Sequence, residues 1–378
     1  MKLIHLSDLH LGKRLNEFSL IEDQKYILRT IIKIIDDERP DCVVIAGDIY
    51  DKSFPSTEAT VLFDDFLVRL SKRNIRVFVI SGNHDSPERL AFGNRLIDAS
   101  GIHISPVYNG DVKPFVMEDE YGKVNIYMLP FIKPAHVRAA FPEENIESYT
   151  DAVRLAIEKM NIDTAKRNIL VAHQFVTGAA RSDSEEISVG GLDNIDGSVF
   201  SAFDYVALGH IHTAQTVISP NIRYCGTPLK YSFSEAAFGK SVSVVTLREK
   251  GSLDIDTVDL TPYRDLIEIR GTYDMLTAKS YYDKIARDSY IRVILTDEED
   301  IPDAVSKLRV IYPNLMKLDY DNTRTRHRAV CTEGALTEEK TPLELFSEFY
   351  EKQNGCGMTE EQESFIKELI EKIWEDEQ

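Results

Sequence analysis

The chain has 378 residues, 43% of them hydrophobic and 28% charged, so it is long enough to bury a sizeable core and to hold two domains. Its net charge of −19 disfavours a broadly basic surface for nucleic acids, although it does not exclude DNA binding, because phosphate contacts depend on local patches. No apolar run approaches the roughly 18 residues that span a membrane, and Asp8 and His10 interrupt the first run, so we expect a soluble, cytoplasmic protein without a leader.

The first hundred residues alternate short apolar runs with longer amphipathic segments. The runs are rich in β-branched residues and predict buried strands, whereas the segments keep the spacing of helices. This alternation predicts parallel strands joined by right-handed crossovers. The predicted strands are 3–7, 42–46 and 77–80, and the predicted helices are 21–37, 56–73 and 87–99.

The pattern continues less regularly to about residue 250. Residues 177–198 are rich in glycine, serine and acidic residues and predict a long polar loop, which in compact domains is often functional. Gly226-Thr227-Pro228 predicts a turn between short β-rich segments. The predicted strands are 124–129, 168–172, 205–208, 214–219, 222–225 and 241–248, and the predicted helix is 149–160.

A change of composition near Pro262 suggests a first domain of residues 1–262. A small α+β capping domain is expected over 263–335, because 264–320 predicts the order strand, helix, strand, helix, strand. The predicted strands are 266–271, 290–295 and 315–320, and the predicted helices are 275–286 and 301–311. The basic cluster Arg324–Arg328 is interpreted equally well as a solvated loop or as a DNA contact.

Residues 336–378 predict a helical tail, and residues 337–378 carry 13 acidic and 4 basic residues. Thr341 and Thr359 each begin a capping box, a pattern that starts a helix by bonding its free N–H groups. Apolar residues line one side of both predicted helices. That side packs on its own protein or docks on a partner, and the terminal position with an acidic opposite face favours a partner.

The four cysteines form no C-x-x-C pair, so neither a zinc knuckle nor a redox pair is indicated. A disulfide framework is not expected in a chain of this length, and we interpret the cysteines as reduced thiols that pack in the core. They are Cys42, Cys225, Cys331 and Cys356.

Side chains with oxygen or nitrogen donors follow five of the predicted strands, at the point where each strand ends. In open α/β sheets the carboxyl ends of the strands form the edge at which ligands bind. One histidine at a strand end is more often structural, but five of the nine histidines together with aspartates and an asparagine favour a common site. The residues are Asp8, His10, Asp48, Asp51, Asn83, His84, Asp85, His173, His210 and His212.

Mixed nitrogen and oxygen donors without a thiolate suit Mn²⁺, Fe²⁺ or Zn²⁺ better than a structural zinc site. The number of donors exceeds what one ion needs, so we infer two divalent ions. A pair of ions about 3.5–4 Å apart activates water and stabilises the attacking and leaving oxygens of a phosphoryl displacement.

Five blocks of this sequence, in order over residues 1–215, resemble the calcineurin-like metallophosphoesterases. The blocks are Asp8-x-His10, Gly47-Asp48-x-x-Asp51, Gly82-Asn83-His84-Asp85, His173 and Gly209-His210-x-His212. Residues 5–12, Ser188–Gly191 and Tyr224–Ser232 narrow the resemblance to the SbcD family of bacterial nuclease subunits, over nearly the whole chain. The resemblance implies an α/β fold: a metallophosphoesterase β-sandwich flanked by helices, with the small capping domain and the C-terminal helical tail.

The resemblance also implies roles for the residues of the site, with Mn²⁺ as the working ion. Asp48 would bridge the two ions. The first ion would be held by Asp8, His10, Asp48 and His212, and the second by Asp48, Asn83, His173 and His210. His84 would act on the leaving oxygen of the scissile phosphate. Asp51 stands where archaeal and eukaryotic relatives carry a second histidine, and it would orient metal ligands.

By the same resemblance the chain would cleave DNA, as a 3′→5′ exonuclease on duplex ends and as an endonuclease at hairpins or blocked ends, in DNA recombination, replication and repair. It would act as a homodimer within a heterotetramer with the SMC-like ATPase SbcC. Residues 264–320 would help to present DNA, and the helices within 341–376 would grip the coiled coil of SbcC. A phosphoesterase acting on phosphomonoesters or cyclic nucleotides, and a non-catalytic scaffold, are the alternatives.

Overall fold

The computed structural model describes residues 1–180, 182, 194–323, 325, 342–354 and 357–376. Several predicted features lie outside the described residues. They are most of the 177–198 loop, the Ser188–Gly191 stretch, Cys331, Cys356 and the basic cluster at 324–328, of which only Thr325 is described. The described residues up to Tyr320 form one compact unit, and those from Asp321 onward form another.

Strands dominate the first unit, and most of its helices are short. The strands are β1 (Lys2–Leu6), β2 (Arg14–Leu15), β3 (Phe18–Ser19), β4 (Cys42–Ala46), β5 (Arg76–Ile80), β6 (Ile102–Ile104), β7 (Phe115–Asp119), β8 (Gly122–Leu129), β9 (Arg167–His173), β10 (Phe175–Val176), β11 (Asn194–Ile195), β12 (Tyr205–Gly209), β13 (Gln215–Val217), β14 (Ser219–Tyr224), β15 (Lys240–Leu247), β16 (Leu253–Leu260), β17 (Leu266–Gly271), β18 (Tyr290–Leu295) and β19 (Leu315–Tyr320). The helices are α1 (Ile21–Glu38), α2 (Thr57–Ser71), α3 (Pro87–Leu90), α4 (Asn94–Ile97), α5 (Pro134–Ala140), α6 (Tyr149–Lys159), α7 (Tyr273–Thr277), α8 (Lys279–Tyr282) and α9 (Ala304–Arg309). The second unit contains α10 (Pro342–Asn354) and α11 (Glu360–Asp376).

Two six-stranded sheets form the centre of the first unit. The first has the order β16-β15-β1-β4-β5-β6, and the second has the order β13-β14-β12-β9-β8-β7. In the first sheet β1, β4, β5 and β6 run parallel, which confirms the alternation predicted from the sequence. In the second, β8, β9, β12 and β14 run parallel. Within each sheet, the carboxyl ends of the parallel strands therefore lie along one edge.

Apolar side chains fill the space between the two sheets and cover their outer faces. Leu3, Val44 and Phe78 of the first sheet pack in one core with Val171 and Tyr205 of the second. Helices α1 and α2 cover the outer face of the first sheet, and α5 and α6 cover that of the second. The predicted β-sandwich flanked by helices is confirmed.

The predicted helix at 87–99 is replaced by the two short helices α3 and α4. The break falls at Gly93, whose φ of 75° lies in the left-handed region that a continuous right-handed helix excludes. As a result Phe92 and Leu96 are 88% and 84% exposed.

A separate three-stranded parallel sheet, β17-β18-β19, forms the small module beyond Pro262. The predicted helix at 275–286 is shorter here, because Ala278 is extended (ψ 131°) and separates α7 from α8. Asp23 at the start of α1 accepts hydrogen bonds from Arg264 (3.0 Å) and the Tyr290 hydroxyl (2.7 Å). This buried polar contact fixes the module to the sandwich.

The second unit contains the two tail helices, α10 and α11. The predicted capping box of α11 is present: Thr359 N–H donates to Gln362 Oε1 (2.9 Å), and Gln362 N–H donates to Thr359 Oγ1 (3.4 Å). Thr341, which begins the other box, lies outside the described residues. Phe349 and Phe365 are 60% and 63% exposed. Within the described part of the chain, we find no helix with the length and apolarity needed to cross a bilayer.

A buried ion pair joins two strands of the second sheet. Asp119 at the end of β7 accepts hydrogen bonds from the Arg167 guanidinium at the start of β9, and both side chains are almost fully buried. The hydrogen bonds from Arg167 lower the pKa of the Asp119 carboxyl well below its usual range. A depressed pKa means that the pair stabilises the fold above the unfolded-state pKa of about 4 and loses this effect as the pH falls.

We predict that Asp119→Asn lowers the free energy of unfolding by about 3–5 kcal/mol at pH 7, because it leaves the Arg167 charge buried without its partner. The difference from the wild type should shrink as the pH falls below about 4, because Asp119 then takes up a proton in the unfolded chain while its folded-state pKa is still lower. Urea unfolding between pH 3 and 7 measures both effects. Asp65→Asn, which removes an exposed pair with Arg69, is the control and should cost about 0–1 kcal/mol. A pH-independent difference for Asp119→Asn would contradict the prediction.

Candidate metal centre

The carboxyl ends of strands from both sheets meet at one place. In the first sheet, Asp8 and His10 follow β1, Asp48 follows β4, and Asn83 and His84 follow β5. In the second sheet, three histidines occupy the corresponding ends: His173 is the last residue of β9, and His210 and His212 follow β12. The structure therefore brings together all the predicted metal-binding residues, with His84 beside them.

Three groups of carboxylate and imidazole donors lie here, each with its donor atoms within 4.8 Å of one another. Asp8 and Asp48 each belong to two of the groups, so the groups are continuous. Imidazole nitrogens and carboxylate oxygens are a donor set that fits Mn²⁺, Fe²⁺ or Zn²⁺. The groups are Asp8, His10 and His212; Asp8, Asp48 and His173; and His10, Asp48 and His84.

Donor atoms of these side chains face one another at close range. The Asn83 Oδ1 atom lies 3.0 Å from His173 Nε2 and 2.9 Å from His210 Nδ1. The Nε2 atoms of His10 and His212 are 3.1 Å apart. Asp48 Oδ2 lies 3.3 Å from His173 Nε2 and 3.7 Å from His10 Nε2, between the two sets. Convergent lone pairs of this kind are the arrangement that bound cations stabilise.

Hydrogen bonds of the main chain fix the orientation of His173. Its Nδ1–H donates to the Ala46 carbonyl oxygen at 2.8 Å, and because a carbonyl only accepts, the neutral form of this imidazole has its lone pair on Nε2. That lone pair faces Asp48 and Asn83. A metal-binding histidine usually makes such a second contact, which fixes its tautomer.

The backbone is strained where it presents these donors. Positive φ angles are rare in residues other than glycine. Four residues of the site have them: Asp8 (51°), His10 (42°), Asp48 (49°) and His210 (101°). Strained residues of this kind concentrate at functional sites.

Glycines allow the loops to approach closely. A Cβ atom on Gly82 would lie 2.1 Å from Asp48 Oδ1, and one on Gly209 would lie 1.8 Å from the Ala46 carbonyl oxygen. A side chain on Gly82 would therefore displace Asp48 within the first sheet, whereas one on Gly209 would push β12 of the second sheet away from β4 of the first.

Burial and mutual charge determine the protonation of the centre. Burial raises the pKa of the Asp48 carboxyl, but the His173 and His84 imidazoles lower it, and the net effect holds it well below its usual range. Burial lowers the pKa of His173, and the Asp48 carboxylate raises it, to about 9. Burial raises the pKa of Asp8 to about 6 and lowers that of His10. A metal ion that took His173 as a ligand would therefore displace a proton, since a ligating imidazole is neutral.

Asp85 belongs to the same loop as Asn83 and His84, but its carboxylate accepts hydrogen bonds from main-chain N–H groups. Its Oδ2 atom accepts hydrogen bonds from the N–H groups of Gly82 (2.9 Å) and Ile49 (3.0 Å), and its Oδ1 atom accepts one from Tyr50 N–H (3.0 Å). Burial and the Asp48 carboxylate raise the pKa of Asp85 to about 6. Asp85 thus ties the loop after β5 to the loop after β4.

His84 and Asp51 lie at the accessible side of the centre. The His84 Nδ1 atom is 3.3 Å from the Asp51 carbonyl oxygen, and its Nε2 atom is 3.9 Å from Asp48 Oδ2. The Asp51 carboxylate accepts a hydrogen bond from Lys13 (2.7 Å) and lies 3.9 Å from His10 Nδ1.

Sequence reasoning missed the buried groups behind His212. Glu235 Oε1 lies 3.9 Å from His212 Nδ1, and Lys240 Nζ donates to the other Glu235 oxygen at 2.5 Å. Burial raises the pKa of Glu235, but the hydrogen bond from His212 and the Lys240 charge lower it, to about 2. The nearby Tyr224–Ser232 stretch carries part of the family resemblance. Glu235 does not follow a strand and belongs to no motif, so the sequence did not indicate a role for it.

Comparison with known proteins agrees with this geometry. Residues 1–214 match the family model of the calcineurin-like phosphoesterases, and residues 262–354 match a model described as the type 5 capsule protein repressor C-terminal domain. The chain is 34% identical over 377 residues to the SbcD subunit of the nuclease SbcCD from Staphylococcus epidermidis, and the match covers 98% of each chain. The chain belongs to the SbcD family of calcineurin-like phosphoesterases. As an SbcD-family member it is a metal-dependent phosphoesterase, and its donor groups fit a dinuclear site.

Two solved structures resemble part of this SbcD-family chain at low identity. A dimetal phosphatase from Danio rerio is 14% identical, covers 68% of this chain and 95% of its own, and gives a TM-score of 0.39. A protein from Thermus thermophilus is 12% identical, covers 68% and 98%, and gives 0.40. The family assignment rests on the full-length relative and the family models.

Proposed function

We propose that this chain is the nuclease subunit of a DNA-end-processing complex. It would act as a 3′→5′ exonuclease on duplex ends and as an endonuclease at hairpins and blocked ends. The observation that carries the proposal is the cluster of buried carboxylates and imidazoles at the joined strand ends, in a chain that matches a named nuclease subunit over 98% of its length. That name describes the relative. Cleavage of a DNA hairpin, compared with hydrolysis of p-nitrophenyl phosphate, tests whether this chain has a DNA substrate.

The proposed centre holds two Mn²⁺ ions that share the Asp48 carboxylate. The short distances between donor atoms within each set support the way the ligands are divided between the two ions. One ion would bind Asp8, His10, Asp48 and His212, and the other would bind Asp48, Asn83, His173 and His210. Bound in this way, a pair of divalent ions activates water and neutralises the charge that develops on a phosphodiester during displacement.

His84 is proposed to act on the leaving oxygen. Because the Asp51 carbonyl oxygen can only accept, the proton of His84 lies on Nδ1, and Nε2 is the atom that exchanges a proton with substrate. His84 is less buried than the metal-binding histidines, so Nε2 is accessible to a phosphodiester above the centre. An imidazole near neutral pH suits this exchange.

Asp51 is proposed to orient ligands and not to contact the ions. Its carboxylate faces His10 Nδ1, which has no hydrogen-bond partner within the part of the chain that the structure describes. Lys13 holds the carboxylate in place at 2.7 Å. Together they favour the His10 tautomer whose Nε2 lone pair faces the centre.

We also propose the three-part organisation of residues 1–262, 263–335 and 336–378. The tail would dock on the coiled coil of an SbcC-type SMC-like ATPase. The exposed Phe349 on α10 and Phe365 on α11 support this role, since exposed apolar side chains of amphipathic helices dock in apolar grooves of partner proteins. The small module would help to present duplex DNA, and a DNA substrate supports the expected cytoplasmic location.

A homodimer within a heterotetramer completes the proposal. Phe92, between α3 and α4, and Leu96, on α4, are exposed on the nuclease unit, shortly after the loop that carries His84. A second copy that covered both side chains would remove their apolar surface from water, which favours association.

We predict that His84→Gln lowers cleavage of a DNA hairpin by about 10²–10⁴-fold, because a general acid contributes that much, while two equivalents of Mn²⁺ remain bound. Atomic emission measures the metal, and gel electrophoresis measures cleavage. His103→Gln, at a buried histidine of β6 outside the centre, is the control and should change neither. Loss of the ions from His84→Gln would show that His84 is a ligand. If the wild type hydrolyses p-nitrophenyl phosphate but no DNA, the proposed function is wrong.

We predict that deleting residues 337–378 leaves folding, metal content and hairpin cleavage by the isolated subunit unchanged and abolishes association with the SbcC-type ATPase. Size-exclusion chromatography of the mixed proteins measures association. The full-length variant Phe349→Ser/Phe365→Ser changes only exposed side chains and should weaken association at least tenfold. If both variants still bind the ATPase as the wild type does, the tail is not the docking segment.

We predict that Leu96→Asp converts the dimer to a monomer, because association would then bury an unpaired carboxylate in each copy. Sedimentation velocity measures the mass, and Val61→Asp on the exposed side of α2 is the control, which should stay dimeric. A wild type that sediments as a monomer at high concentration would contradict the homodimer.

A further inference from the structure

A buried ion pair lies behind one half of the proposed metal centre. Glu235 is fully buried and Lys240 is nearly so. Lys240 Nζ donates hydrogen bonds to Glu235 Oε2 (2.5 Å), Thr227 Oγ1 (2.7 Å) and the His212 carbonyl oxygen (2.9 Å). Burying two charges costs desolvation free energy that their attraction often does not recover, so stability alone is a weak explanation for the pair.

His212 is held by this pair at two points. Lys240 binds its carbonyl oxygen, and Glu235 faces its ring nitrogen Nδ1 at 3.9 Å. The opposite ring nitrogen, Nε2, faces His10 Nε2 in the centre at 3.1 Å. A carboxylate only accepts hydrogen bonds, so Glu235 favours the His212 tautomer with its proton on Nδ1 and its lone pair toward the centre.

The histidines of the two proposed ion sites are supported by different groups. His10 and His212 each have a carboxylate behind Nδ1, and a lysine holds that carboxylate: Lys13 on Asp51, and Lys240 on Glu235. His173, in the other site, has a neutral peptide carbonyl behind Nδ1. A carboxylate makes the imidazole it supports a more basic ligand than a carbonyl does.

We propose that Glu235 and Lys240 are a positioning pair that fixes His212 and thereby sets the affinity of the ion held with Asp8 and His10, separately from the ion held with His173. This inference rests on the proposed dinuclear centre. Glu235 does not itself bind the ion, because its oxygens already accept hydrogen bonds from Lys240, Thr227 and the Tyr231 N–H.

The test is a Mn²⁺ titration of the full chain, followed by isothermal calorimetry and by electron paramagnetic resonance, which distinguishes a single ion from a spin-coupled pair. The variant Glu235→Gln/Lys240→Met removes both charges, so it leaves no buried ion without a partner. We expect one ion to bind as in the wild type and the other to bind about 10–100-fold more weakly, so that the coupled signal appears only at higher Mn²⁺.

Two further variants make the result specific. Glu235→Asp keeps the charge for Lys240 but withdraws the carboxylate from the His212 ring, and it should weaken the same ion without loss of thermal stability in EDTA. Asp204→Asn/Lys250→Met removes a partly exposed ion pair at the opposite end of β12 and should bind both ions as the wild type does.

Each outcome decides between the proposals. If the Glu235 variants bind both ions with wild-type affinity, or if they weaken both ions equally, the positioning role is wrong. If the Asp204 variant shows the same selective loss, the effect is general and the inference also fails. If the wild type binds fewer than two ions, the proposed dinuclear centre itself is wrong.

Discussion

The structure depends on the burial of ionisable groups where two sheets end. Asp8 and Asp48 lie among five imidazoles, and the two carboxylates are almost inaccessible to water. Charged groups removed from water are stable only when opposite charge compensates them. Part of that compensation is internal, since Asp48 and His173 shift each other's pKa in opposite directions. Two divalent cations would compensate the rest of the carboxylate charge. The fold and the proposed chemistry therefore have the same requirement, which is positive charge beside Asp8 and Asp48.

The position of this centre follows from the topology of the sandwich. Both sheets have parallel central strands, and the carboxyl ends of those strands open toward the same place. Gly209 lets β12 come within contact distance of β4 in the other sheet, Gly82 leaves room for Asp48, and Asp85 ties two loops of the first sheet together. Each sheet supplies only part of the donors, so the site exists only when the sandwich is closed.

Much of this arrangement could be predicted from the sequence, because strand ends and parallel order follow from local patterns. Asn83 and His84 directly follow a buried strand, and that adjacency places them at the edge of the sheet. Other features depend on the chain folding back over a long distance, and no local pattern contains them. Glu235 reaches His212 from a turn outside any strand, and the break at Gly93 appears only when the backbone adopts a positive φ.

The charge of the chain bears on how such a centre would attract DNA. The net charge is −19, and residues 337–378 contribute −9 of it, so the remainder of the chain is also acidic. Long-range attraction of a polyanion therefore does not come from the subunit as a whole. It would come from the bound cations, which neutralise the buried carboxylates, and from a partner that supplies basic surface. In the proposed function, the acidic tail with its exposed aromatic residues and the metal centre would serve one purpose: the tail would bind the partner that holds DNA, and the centre would act on the phosphate that the partner presents.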